Sequence, residues 1–218
     1  MKQILVYSDS LSWGIVPGTR ERHPFDVRWP GRLENGLQAA GSPARVIEDC
    51  LNGRRTVWDD PFKPGRKGLD GLAQRIEIHS PLALVILMLG NNDFQSMHPH
   101  TGWHAAQGNG ALVHAIRTAP IEPGMPVPPI LLVAPPPIGI PAGTMADKFA
   151  GGDVRCTGFP EALARVAREL DCAFFDASHL IHASPVDGVH LDAHSHHKLG
   201  DALVPVVAGL LVEAADAS

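Results

Sequence analysis

The chain has few cysteines, no excess of basic charge and no long apolar run, and each shortage closes off a class of function. Its three cysteines, Cys50, Cys156 and Cys172, are an odd number, and none belongs to a Cys-x-x-Cys pair. A disulfide framework is therefore not expected, and a reducing, cytoplasmic compartment fits the composition. None of the three sits where a thiolate would be activated, so the expected role is that of small buried hydrophobes. The formal net charge of −5 provides no basic footprint for nucleic acid or anionic lipid. No apolar run approaches the roughly 20 residues needed to span a bilayer, so no membrane partner is expected. Residues Met1–Tyr7 read straight into a strand, without a charged leader or a small-residue cleavage site, so no secretory leader is expected.

What is present is ordinary globular material. Of 218 residues, 44% are hydrophobic and 19% charged, enough for one sizeable core and one domain over residues 1–218. Five short apolar runs rich in Val, Ile, Leu or Phe, at Gln3–Tyr7, Arg45–Glu48, Ala83–Leu89, Ile130–Ala134 and Ala173–Asp176, read as buried parallel strands. Helical spacing falls between and after them, at Arg32–Ala39 behind Pro30, Ala105–Thr118, Pro160–Leu170 and His194–Ala215. Pro205 is expected to kink or interrupt the last of these. Strand–helix alternation predicts an α/β fold with a central five-stranded parallel sheet and helices on both faces. Asp59–Gly68, Phe94–Gly110 and Ile138–Gly158 do not fit that alternation and read as long loops, the kind that form lids and binding edges.

Ligands of open α/β sheets sit beyond the carboxyl ends of the strands, so the residues that follow each strand carry the functional reading. Ser8-Asp9-Ser10-Leu11 follows the first, Asn52-Gly53-Arg54 the second and Gly90-Asn91-Asn92-Asp93 the third; Asp187-Gly188-Val189-His190 comes after the fifth. Acyl chemistry can use each group, and all are expected to fall on one rim. In this order they resemble the four sequence blocks of the SGNH (GDSL-type) hydrolases over nearly the whole chain. Ser8 stands where that family usually has glycine. Ser10–Gly14, Val27–Trp29 and Val46–Glu48 look like the small bacterial arylesterase and acyltransferase branch.

The resemblance implies a flavodoxin-like three-layer α/β/α hydrolase that cleaves short-chain esters through an acyl-serine. It implies Ser10 as nucleophile, His190 as base and Asp187 as its partner. The oxyanion donors would be the Ser10 and Gly53 backbone N–H groups and the Asn92 side chain. No cofactor or metal is implied, and the partners are a small-molecule ester and further copies of the chain in a homo-oligomer. Trp13 and Phe94 adjoin the blocks and are expected to line the substrate pocket, with ordinary core packing as the alternative, and Val189, between acid and base, is expected to face the substrate. Asp9 and Asp93 are expected to brace loop backbone. Acyl transfer to alcohols, or deacetylation of carbohydrate, would use the same machinery.

Two other classes compete. His190, His194 and His197 at i, i+4 and i+7 would share a face on one continuous helix, a spacing that can hold zinc. Against this, there is no His-Glu-x-x-His pattern, and the helix is expected to begin only after His190, leaving His194, His196 and His197 as a solvated helix start. A silent binding module that kept the fold would not need Ser10, Asp187, His190, Gly53 and Asn92 together. Gly108-Asn109-Gly110 lacks a preceding strand and a third glycine, so it is no dinucleotide fingerprint.

Overall fold

The computed structural model describes residues 1–216. Five parallel strands, β1 (Lys2–Ser8), β2 (Ala44–Cys50), β3 (Leu84–Met88), β4 (Ile130–Ala134) and β5 (Ala173–Asp176), form one sheet in the order β2-β1-β3-β4-β5. The order is flavodoxin-like, and the chain reverses its direction of winding between β1 and β3, the position where such sheets bind ligands.

Side chains alternate across the sheet with the strand period of two. Ile4 and Val6 of β1, with Leu84 and Ile86 of β3, face α2 (Trp29–Ala39) and α7 (Ala193–Asp216). Leu5, Tyr7, Val85 and Leu87 face α3 (Leu72–His79), α4 (Gly102–Arg117) and α6 (Phe159–Glu169). Helices thus cover both faces, which explains why β3 and β4 are apolar at every position. Each fully buried aliphatic side chain contributes roughly 1.5–3 kcal/mol.

The helices add three details to the sequence reading. α3 went unread in the sequence because it presents only Leu72 and Ile76 to the core over eight residues. α4 begins at Gly102, inside the stretch read as the loop Phe94–Gly110. Its glycines look like breakers but permit close packing, since a Cβ on Gly108 would stand 2.1 Å from Thr56 Oγ1. α7 runs on through Pro205 as one element, with the proline on its exposed side.

The loop Ile138–Gly158 contains the short helix α5 (Gly152–Arg155) and sinks Ile138, Phe149 and Cys156 into the core. No helix among the described residues is long and apolar enough to cross a membrane. All three cysteines are free, and burial raises each thiol above its ordinary value.

Candidate active site

β1 ends at Ser8, and Asp9 turns the chain into α1 (Ser10–Trp13), a single helical turn. Asp9 caps that turn, its Oδ1 accepting from the Leu11 N–H at 2.9 Å. Ser10, first in the turn, is thereby set at the carboxyl edge of the sheet. The serine at position 8 is accommodated by a directed chain of buried groups. Trp29 Nε1–H donates to Ser12 Oγ at 3.0 Å, Ser12 Oγ–H to Ser8 Oγ at 2.6 Å, and Ser8 Oγ–H to the Met88 carbonyl at 2.7 Å. This hydroxyl therefore ties β1, α1, α2 and β3 together.

Asp187 and His190 form a buried pair on the rim. Asp187 Oδ1 accepts from the backbone N–H groups of Val189 and His190 at 3.0 and 2.9 Å, and Oδ2 meets His190 Nδ1 at 2.8 Å. A carboxylate can only accept, so Nδ1 carries the proton and Nε2 is left with its lone pair. Gly18 N–H donates to the same Oδ2 at 3.1 Å. Burial acts to raise the Asp187 carboxyl, but the hydrogen bonds from His190 and Val189 outweigh it and hold the group well below the usual carboxylate range. Two backbone bonds, Gly139 N–H to Gly188 O at 2.8 Å and Ala142 N–H to Asp187 O at 3.0 Å, lash the long loop Ile138–Gly158 to this segment.

Among the described residues no hydrogen bond joins Ser10 Oγ to the imidazole. Contacts of this type are commonly long before substrate binds.

The donors gather at the same edge. Gly53 has φ +83°, a left-handed conformation that glycine adopts without strain. Its N–H and that of Ser10 have no protein acceptor among the described residues. Arg54, beside Gly53, donates through Nη1 to the Ser8 carbonyl at 2.8 Å and through Nη2 to Asp49 Oδ1 at 2.7 Å, bracing one loop against the end of β1. Asn92 lies in a 3₁₀ turn, Asn91–Phe94, with its Nδ2 2.9 Å from Asp9 Oδ2 and its Oδ1 2.7 Å from Gln95 Nε2. One Nδ2–H remains for a ligand.

Burial pushes the carboxyls of Asp9 and Asp93 up to about 6 and about 7. Asp93 accepts from the Thr56 N–H at 3.0 Å and the Thr56 hydroxyl at 2.5 Å, which locks the second and third loops together.

The three expected pocket residues differ in exposure. Phe94 is fully buried and packs edge to face on Phe159, with ring centroids 5.6 Å apart. Val189 is also buried and belongs to the same core cluster, its N–H donating to Asp187 Oδ1 at 3.0 Å. Trp13 stays partly exposed, with the Arg22 guanidinium 4.8 Å from its ring centroid.

The histidines divide as well. His190 precedes α7, so the face it would have shared with His194 and His197 does not form, and no group of three metal-binding side chains occurs among the described residues. His194 lines a separate cleft with His182, Asp192 and Lys198.

His196, read as solvated, is fully buried, its Nδ1 accepting from the Trp29 N–H at 3.2 Å. Burial depresses its pKa from 6.5 to about 3. Between those values the unfolded chain binds a proton that the folded chain refuses, so this group's contribution to stability falls as pH drops from 6.5 towards 3. Asp9 and Asp93 act in the opposite sense, losing stability as pH rises through about 6 and 7. His196→Asn keeps an acceptor for Trp29 and removes the proton. Its melting temperature relative to the parent is expected to climb by at least about 3 °C between pH 6.5 and pH 4, measured by thermal unfolding. A difference that stays flat with pH contradicts this.

Comparison with known proteins agrees with the geometry. The sequence profile of the GDSL-like lipase/acylhydrolase family matches residues 9–198. The native aryl esterase of M. smegmatis superimposes with a TM-score of 0.90 at 35% identity, over 96% of this chain and 100% of that one. A carbohydrate acetylesterase family member from Sinorhizobium meliloti does so with a TM-score of 0.90 at 38% identity, over 97% and 100%. A lipase/acylhydrolase from Enterococcus faecalis, at 16% identity and a TM-score of 0.67 over 96% of each chain, shares the fold. A search of curated protein sequences returned no match. With its profile match, its sheet order and close structural relatives over nearly its whole length, the chain belongs to the GDSL-like lipase/acylhydrolase (SGNH hydrolase) family of ester-cleaving enzymes.

Proposed function

We propose that the chain acts as a single-domain serine esterase on short-chain carboxylic esters, with Ser10 as nucleophile, His190 as base and Asp187 as the group that orients and charges the base. The observation that carries the reading is the buried 2.8 Å contact between Asp187 Oδ2 and His190 Nδ1, which leaves Nε2 as a base on the rim that holds Ser10. A serine hydroxyl is a weak nucleophile until a neighbour removes its proton. Nε2 takes that proton as Ser10 Oγ bonds to the ester carbonyl carbon. The resulting imidazolium is stabilised by Asp187 and returns the proton to the departing alkoxide. Water then repeats the sequence on the acyl-serine, releasing the acid. The negative charge on the carbonyl oxygen is met by the Ser10 and Gly53 N–H groups and the remaining Asn92 Nδ2–H.

Aryl and simple alkyl acetates are the proposed substrates, with Trp13, the partly exposed one of the three expected pocket residues, as the proposed pocket wall. The likeness to an aryl esterase supports the aryl class, and the likeness to a carbohydrate acetylesterase supports acetylated sugars as a second class. Exposed Phe62 and Ile140, on two of the long loops, support association of copies through that rim.

The test compares 4-nitrophenyl acetate with longer acyl chains and with a peracetylated sugar, for the parent and for Asn92→Ala. The short aryl ester is expected to be turned over fastest. Asn92→Ala is expected to lower kcat about a hundredfold or more. Parental turnover in that variant would remove Asn92 from the oxyanion site.

A further inference from the structure

We propose that Gln95 and Arg55 are positioning residues that fix which end of the Asn92 amide faces the oxyanion, an inference that rests on the assignment of Asn92 made above. An asparagine side chain has a donor end and an acceptor end of nearly equal size, and a half-turn exchanges them. If Asn92 presented its oxygen, it would repel the developing negative charge.

The surroundings discriminate at both ends. Asp9 Oδ2 lies 2.9 Å from Nδ2, and Gln95 Nε2 donates to Oδ1 at 2.7 Å. Gln95 is itself reversible, and what holds it is Arg55, whose Nη2 donates to Gln95 Oε1 at 2.6 Å. A guanidinium has no acceptor, so it admits only one orientation of Gln95. Arg55 is kept in place by Met97 Sδ at 3.1 Å and Asp60 Oδ2 at 3.6 Å.

The result is an unbroken donor-to-acceptor chain, Arg55 to Gln95 to Asn92 to Asp9, that starts at a cation and ends at a carboxyl. Its members are 0%, 0%, 4% and 1% exposed, so water does not compete for any link. Aligned links polarise one another. Electron density drawn towards Gln95 Oε1 makes Nε2–H a better donor, and the same effect one step on strengthens the free Asn92 Nδ2–H. Arg55 and Gln95 touch neither substrate nor nucleophile; they act through Asn92.

Gln95→Glu isolates the effect, since it keeps the acceptor for Arg55 and deletes the donor to Asn92. With 4-nitrophenyl acetate, kcat is expected to fall about tenfold, with KM changed by less than about twofold. Gln95→Met, of similar length and without polar atoms, is expected to lose the same factor, and it carries the test if the glutamate variant does not fold. In an Asn92→Ala background, neither change is expected to lower kcat further, because no amide is left to orient.

Equal losses with and without Asn92 overturn the proposal, because the effect would then be structural. Parental kcat in both Gln95 variants, alongside an impaired Asn92→Ala, overturns it too and leaves the oxyanion assignment standing. Parental kcat in Asn92→Ala overturns that assignment instead, and this inference with it.

Discussion

Ser10→Ala is expected to reduce turnover of a short-chain aryl ester about a millionfold, and to abolish labelling by a fluorophosphonate that otherwise adds once, at Ser10. The loss is large because the other groups have nothing to act upon once the hydroxyl is gone. An imidazole without an alcohol to deprotonate offers only slow, water-level chemistry, and the N–H groups stabilise an oxyanion that rarely forms. The fold has no stake in the change. The cap that starts α1 belongs to Asp9, whose Oδ1 accepts from Leu11, and the hydroxyl of Ser10 makes no protein hydrogen bond among the described residues. The melting temperature should therefore stay within about 2 °C of the parent. Mass spectrometry of the labelled protein and a steady-state assay read both halves. An adduct on another residue, or turnover within a hundredfold of the parent, would transfer the nucleophile role elsewhere.

Strands and motifs were legible in the sequence for the same reason. β3 and β4 are buried on both faces, so their apolar runs are continuous, and the polar residues that end them mark the carboxyl edge where the chemistry gathers. The reading failed where tertiary packing overrides local preference. Gly102 falls before the predicted helix Ala105–Thr118 and reads as loop, but α4 begins there and needs a small residue, since a Cβ would stand 2.7 Å from the Phe159 nitrogen, and nothing in a single chain records that neighbour. Phe94 and Val189 flank functional residues in sequence and pack in the core cluster. In tight turns, adjacent residues face different ways, so nearness along the chain is poor evidence for a pocket wall.

His196 and Gln95 show the same limit for polar groups. His196 has histidine neighbours that suggest solvent, and only the approach of the Trp29 N–H reveals its burial. Gln95 lies three residues after Asn92, a spacing that places the two on one side of a helical turn and was the available signal. Its partner Arg55 comes from the loop after β2. Buried charges from separate loops, Arg54 against the Ser8 carbonyl and Asp93 against Thr56, hold this edge rigid, and each needed the fold to find its partner.

Asp187→Asn is expected to lower kcat about ten-thousandfold while leaving substrate binding and the fold nearly intact, and the hydrogen bonds explain the size of the loss. Oδ1 of Asp187 accepts from two backbone N–H groups, so an asparagine must keep its oxygen there. Its NH₂ group then replaces Oδ2 and faces His190 Nδ1, now as a donor. To accept that bond, Nδ1 must give up its proton, and the neutral ring carries it on Nε2. The base is thereby lost without moving an atom of the imidazole. The amide also meets the Gly18 N–H donor to donor, so some loosening of the Gly18 turn accompanies the substitution. Steady-state kinetics of the variant should show the fall in kcat with little change in KM. The fluorophosphonate, which needs the same deprotonated serine, should label Ser10 far more slowly. A kcat within tenfold of the parent would mean that His190 takes its orientation from something other than Asp187, and the proposed division of labour on this rim would have to be redrawn.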